Sequence, residues 1–91
     1  MNELIARVKT ALRISHDRLD GEIARQIEAA RAEMIRAGVR PDVKIDDPLI
    51  EDAVLTWCQY KMAPRDNERY FEAWEYQVDC LRKSEGYRNV Q

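Results

Sequence analysis

The 91-residue sequence predicts an all-α fold, a small bundle of about four helices in a single domain spanning 1–91. Apolar residues recur at spacings of three and four along most of the chain. Glycine and proline, which interrupt helices, number only three each. The stretch 48–62 is apolar around nearly its whole helical wheel, as expected of a buried helix. We therefore expect helices near 2–13, 18–37, 48–62 and 67–83, with the third at the centre.

The first two predicted helices are amphipathic and are separated by a short interruption at 14–17. Either Ser15 or Asp17 can cap the second helix, since both side chains accept hydrogen bonds from exposed N–H groups, and we favour Asp17. Gly38 is placed to end this helix in a left-handed turn. The apolar stripe of the second helix consists of Leu19, Ile23, Ile27, Ala30, Met34 and Ala37.

The third predicted helix has the clearest end signals. Asp47 is a good N-cap, Pro48 suits the first helical position, and Pro64 stops the helix shortly after Met62. Trp57 is expected to share one core with Trp74 of the fourth helix. The wide apolar arc of the third helix contains Leu49, Ile50, Ala53, Val54, Trp57, Cys58 and Tyr60.

The fourth predicted helix begins at Asp66 or Asn67, and Gly86 is expected to end it. Before the third helix, 39–46 reads as a surface loop with Val39 and Ile45 packed down. After Gly86, the polar segment 87–91 is expected to be loose. The inward residues of the fourth helix are Tyr70, Phe71, Trp74, Val78 and Leu81.

Motifs for catalysis or metal binding are missing from the sequence. It has no glycine-rich phosphate loop, nucleophile elbow or metal-ligand spacing. His16 beside Asp17 resembles an oriented base, but a turn residue next to a helix cap is the favoured interpretation. Cys58 and Cys80 are expected to be free thiols in or near the core. We therefore predict a protein that is not an enzyme and that holds no cofactor or metal.

Charge and hydropathy exclude two classes of partner. Residues 1–40 carry eight basic and six acidic groups, whereas residues 41–60 carry one basic and five acidic groups. A basic block that would collect phosphates is missing, which disfavours tight DNA binding. No apolar run approaches the ~20 residues of a membrane span, and residues 1–8 lack signal-peptide features, so we expect a cytosolic protein.

Several segments share a pattern of packing and capping positions with one known family. They are 8–17, 19–20, 22–23, 27–30, 38–39, 46–50, Ala53, 60–61 and 70–75. On these segments the chain resembles the head-tail connector family of tailed phages, the small helical head-completion proteins beneath the portal. It departs from the family at 62–65, where relatives often have a glycine-aromatic turn.

This resemblance implies a structural role without an active site. Subunits would form a homo-oligomeric ring that docks on the portal protein, extends the DNA channel and binds a tail or stopper protein. The location would be the host cytoplasm during assembly and then the head-tail junction of the virion. The alternative is a soluble helical adaptor or repressor-like regulator that offers a groove to one partner. A basic recognition helix would favour the regulator, but the second helix is balanced in charge and the fourth is acidic.

Two sets of residues are candidates for contacts in such a ring. Ile35, Leu55, Met62 and Tyr76 lie among polar neighbours, so some should be exposed and join a subunit or portal interface, unless a loop or the C-terminal segment covers them. Two acidic patches are candidates for the channel lining, where repulsion would keep DNA from adhering. They are the acidic stripe Glu68, Glu72, Glu75 and Asp79, and the acidic cluster Asp42, Asp46, Asp47, Glu51 and Asp52. The alternative is a solvated outer surface.

Overall fold

A computed structural model describes residues 2–89 and confirms the all-α bundle. Within that range the chain forms four α-helices: α1 (Asn2–Leu12), α2 (Asp20–Ala37), α3 (Pro48–Met62) and α4 (Asn67–Lys83). Helix α3 contacts the other three, whereas α1 and α4 do not touch each other. The predicted central position of the third helix is therefore confirmed. None of the helices within 2–89 is both long and apolar enough to cross a membrane.

The core is built around α3, as its wheel predicts. Ile50, Ala53, Val54 and Cys58 of this helix are fully buried. The Trp57 ring lies 4.9 Å from the Trp74 ring, centroid to centroid, so both tryptophans share one core as predicted. An aromatic pair of this kind adds about 0.5–1.5 kcal/mol to the burial of the two rings.

Local end signals place two helix termini correctly. The Asp47 carboxylate accepts hydrogen bonds from the backbone N–H groups of Leu49 and Ile50, which makes it the N-cap of α3. Gly38 adopts φ +116° and ends α2 in a left-handed turn, where residues with a Cβ are strained.

One predicted helix start and one predicted end signal are wrong. Helix α2 begins at Asp20 rather than 18, and Asp17 does not cap it. The Lys9 ammonium binds the Asp17 carboxylate at 2.6 Å, which draws this side chain back toward α1. Helix α4 ends at Lys83, as predicted, but it is the extended backbone of Ser84 and not Gly86 that ends it.

The prediction of a loose C-terminal segment is wrong for 87–89, which we call the C-terminal clasp. The Arg40 N–H donates to the Tyr87 carbonyl at 2.7 Å, and the Asn89 N–H donates to the Gly38 carbonyl at 2.8 Å. The Tyr87 hydroxyl donates to the Asp47 carboxylate at 3.1 Å. Val90 and Gln91 lie outside the described residues. The clasp thus ties residues 87–89 to the end of α2, to the loop before α3 and to the cap of α3.

Candidate interaction surfaces

The acidic cluster is largely occupied by contacts within the fold. Asp42 forms two hydrogen bonds with the Arg40 guanidinium, which holds the pKa of the Asp42 carboxyl below its usual range. Asp47 caps α3, and Glu51 pairs with Arg7. Two members remain exposed and form no ion pair with another described residue: Asp46 and Asp52. The cluster is therefore a weaker charged surface than the sequence indicates.

The acidic stripe of α4 divides in the same way. Asp79 pairs with Lys83 and Arg82 at 2.9 and 2.5 Å, and the hydrogen bond from Lys83 is the main cause that lowers the pKa of Asp79. Glu68, Glu72 and Glu75 are exposed and form no ion pair within the described part of the chain. These three carboxylates are the free negative charge of α4.

Of the four apolar interface candidates, Tyr76 alone projects fully into solvent, with 72% of its surface exposed. Ile35 is half-buried, and Leu55 and Met62 pack partly against the core. Tyr76 lies one turn after Glu72 and two turns after Glu68. We call these three residues the α4 outer face, since the spacing of four places them on one side of the helix.

Two further apolar residues are exposed, although the helical wheels of the second and third predicted helices assign them to the interior. Leu49 is 53% exposed in the first turn of α3, and Leu19 is 37% exposed just before α2. Both lie at a helix terminus. A helical wheel gives the direction of a side chain but not how far the neighbouring helices extend, so these exposures could not be predicted.

A groove of about 950 Å³ lies beside α2 and α4, and sequence reasoning missed it. Its lining includes Trp57, Tyr60, Phe71 and Trp74. The Lys61 ammonium lies 5.4 Å from the Trp57 ring centroid, a cation–π contact. The groove joins side chains from separate helices, and no local spacing in the sequence reports that arrangement.

His16, Cys58 and Cys80 do not come together in a catalytic or metal-binding site. His16 Nδ1 accepts a hydrogen bond from the Arg18 backbone N–H, as a turn residue does. Burial raises the pKa of the Cys58 thiol to about 12. Cys80 is exposed, which corrects the expectation that it lies near the core. Among residues 2–89, no group of three or more His, Cys, Asp or Glu side chains could hold a metal ion.

Comparison of the chain with family models, curated proteins and solved structures finds no match.

Proposed function

We propose that this protein is a structural subunit of a tailed-phage or prophage head-tail connector. The observation that carries the proposal is that most of the resembling segments contribute a buried core residue or a turn of the bundle. Val8, Val39 and Ile50 are almost completely buried. Gly38 takes the left-handed turn, and Asp47 caps α3. These positions specify a fold, so a family resemblance concentrated there supports a shared architecture.

The layout of the helices suits a subunit that joins two neighbours. A ring with cyclic symmetry needs two different faces on each subunit, because the contact is heterologous and must repeat in one direction. Helices α1 and α4 supply such faces, since they contact α3 but not each other. Homo-oligomerisation into a ring on the portal protein, with a tail or stopper protein below, is the assembly that we propose.

The free carboxylates support a role as a conduit for DNA. Glu68, Glu72 and Glu75 on α4, with Asp46 and Asp52 near the start of α3, are exposed and form no ion pair among residues 2–89. Lumen walls that carry negative charge repel phosphates and let the duplex slide. The proposed role involves no reaction and no cofactor. Its sites would be the host cytoplasm during assembly and the head-tail junction of the finished virion.

The first test is co-expression with the portal protein of the same genome, followed by size-exclusion chromatography with light scattering. The proposal predicts one complex that contains many copies of this chain. A complex with a single copy, or separate elution of the two proteins, would argue against it. The matched control is a portal protein from an unrelated phage.

The second test is a gel-shift titration with double-stranded DNA at low salt. Since the sequence carries no basic stripe, the protein should bind weakly, whereas the variant Asp46→Lys with Asp52→Lys, outside the α4 outer face, should gain salt-sensitive binding. The same changes at Glu3 and Glu28, which are exposed and form no ion pair among residues 2–89, are the control for net charge. Tight binding by the unaltered protein would contradict the conduit and favour a DNA-binding regulator.

The groove beside α2 and α4 favours a second candidate, a helical adaptor. Its lining combines the half-buried rings of Tyr60 and Phe71 with charged residues such as Arg36, Lys61 and Glu75, a mixture that suits an amphipathic partner helix. The two functions differ in stoichiometry. An adaptor forms a one-to-one complex with its partner, whereas a connector subunit assembles in many copies. Native mass spectrometry of the purified complex distinguishes them.

A further inference from the structure

Two exposed surfaces of opposite charge lie on the two flanks of this bundle. One is the α4 outer face, which carries Glu68, Glu72 and Tyr76. The other is the connection between α1 and α2, residues 13–19, which we call the α1–α2 loop. Within it Arg13 and Arg18 are exposed and form no ion pair with any residue of 2–89. Each surface thus has charge that the fold leaves without a partner.

The α1–α2 loop is held in a defined shape although it is exposed. The Lys9 ammonium binds Asp17 at 2.6 Å and Asp20 at 3.0 Å, which ties the loop to α1 and to the start of α2. The Ile14 N–H donates to the Lys9 carbonyl at 2.8 Å. Arg13 has φ +58°, a left-handed conformation uncommon for a residue with a side chain. A loop held in this way loses little conformational entropy when it docks.

Both surfaces lie at the same end of the bundle. The Asn67 side chain donates to the carbonyls of Tyr60 and Ala63 at 2.8 and 2.9 Å, which places the start of α4 at the C-terminal end of α3. Helices α2 and α3 run in opposite directions, since the clasp bonds both to Gly38 at the end of α2 and to Asp47 at the start of α3. Trp57 donates to Gln26 at 3.0 Å, and from Gln26 the start of α2 lies about 9 Å further toward that same end, at ~1.5 Å per residue.

The flanks themselves are opposite, because α1 and α4 each contact both α2 and α3 but not each other, which places them on opposite sides of the α2–α3 pair. Two copies placed side by side in the same orientation would therefore bring the α1–α2 loop of one to the α4 outer face of the next. The chemistry also matches. An arginine guanidinium pairs with carboxylates and stacks on aromatic rings, and Glu72 and Tyr76 offer both within one turn.

We infer that the α4 outer face binds the α1–α2 loop of a second copy of this chain, with Arg13 and Arg18 against Glu68, Glu72 and Tyr76. The inference rests on the proposed function and deepens it, since it names the contact that would join ring neighbours. It assigns Glu68 and Glu72 to that contact, which leaves Glu75, Asp46 and Asp52 as the carboxylates of the channel lining. The contact is heterologous, so each copy keeps one free face of each kind and assembly continues until a ring closes. Arg69 is exposed three residues before Glu72 and borders this face on the side away from Glu68, so the docked arginines approach from the Glu68 side.

The test is a charge exchange read by sedimentation velocity of the full chain at low salt. Glu72→Arg and Arg18→Glu should each weaken self-association at least about tenfold, because each places like charges in contact. The two changes together restore opposite charges and should recover most of the association. Glu28→Arg, on the exposed surface of α2, is the control with the same change in net charge and should associate like the parent.

A second measurement reports the direction of the contact. In a Cys80→Ser background, Ser15→Cys and Ala73→Cys place one thiol on the α1–α2 loop and one beside the α4 outer face. A short bifunctional maleimide should then produce a ladder of dimers, trimers and larger species. Either cysteine alone should give no ladder, because a head-to-tail contact needs both thiols on each chain.

The outcomes separate this inference from the proposed function. Self-association that is unaffected by both reversals, or a double variant that fails to recover, overturns the inference while leaving a ring possible through other faces. A parent chain that stays monomeric and forms no ladder at its highest soluble concentration also overturns it. In either case co-expression with the portal protein still decides the proposed function independently.

Discussion

Trp57→Ala is the substitution that most directly probes the central helix. The Trp57 ring is 8% exposed and packs against Trp74, and its Nε1–H donates to Gln26 at 3.0 Å. Removing a buried tryptophan costs about 3–5 kcal/mol through lost burial and the remaining cavity. The Gln26 side-chain oxygen then lacks its hydrogen-bond donor, and where water does not replace that donor the loss of stability is greater by as much as about 1 kcal/mol. The free energy of unfolding of a domain of this size is on the order of 5–15 kcal/mol in total.

The assay is thermal unfolding followed by circular dichroism at 222 nm. A loss of about 3–5 kcal/mol lowers the Tm by roughly 12–40 °C in a domain of this size, and a marginal parent would yield an unfolded variant. Tyr76→Ala is the control, because this side chain is exposed and should leave the Tm within a few degrees. A Trp57→Ala variant that melts as close to the parent as the control does would refute the central role of α3.

Three further predictions concern the cap, the thiols and the clasp. Asp47→Ala should lower the free energy of unfolding by about 1–2 kcal/mol in urea titrations, since two N–H groups of α3 and the Tyr87 hydroxyl lose their acceptor. Cys80 should react with a thiol reagent in the native protein and Cys58 only after unfolding, because burial raises the pKa of Cys58 to about 12. Burial and the bond to Asp47 raise the pKa of Tyr87 above 10.0, so the stability from this bond should be complete below pH 10 and lost as the pH rises through the raised pKa. Urea titrations at a series of pH values should show this extra loss of unfolding free energy in the parent and not in Tyr87→Phe. If the free energy of unfolding falls equally steeply with pH in both proteins, the prediction is contradicted.

The helices could be predicted because their signals are local. The apolar spacing of α2, the cap at Asp47 and the left-handed turn at Gly38 each depend on residues within a few positions of one another. The start of α2 was predicted wrongly because it depends on a contact across eight residues. Lys9 binds the Asp17 carboxylate that would otherwise have capped the helix. A local rule cannot weigh a cap against an ion pair formed by a preceding helix.

The clasp and the true charge of the surface depend on contacts between distant residues. Tyr87 reaches Asp47 across forty residues, and Asn89 bonds to Gly38, so residues 87–89 are bonded to the fold although this segment was expected to be loose. Likewise Arg7 neutralises Glu51 from another helix, which removes charge from the acidic cluster. The exposed state of Tyr76 was predictable because its position on α4 lies opposite the inward arc.

The most direct measurement of the central claim is electron microscopy of the complex formed with the portal protein of the same genome. If the chain is a connector subunit, class averages should show a closed ring of many copies, coaxial with the portal, with an open channel at its centre. Single copies bound off the axis, or a ring without a channel wide enough for duplex DNA, would contradict the proposed role.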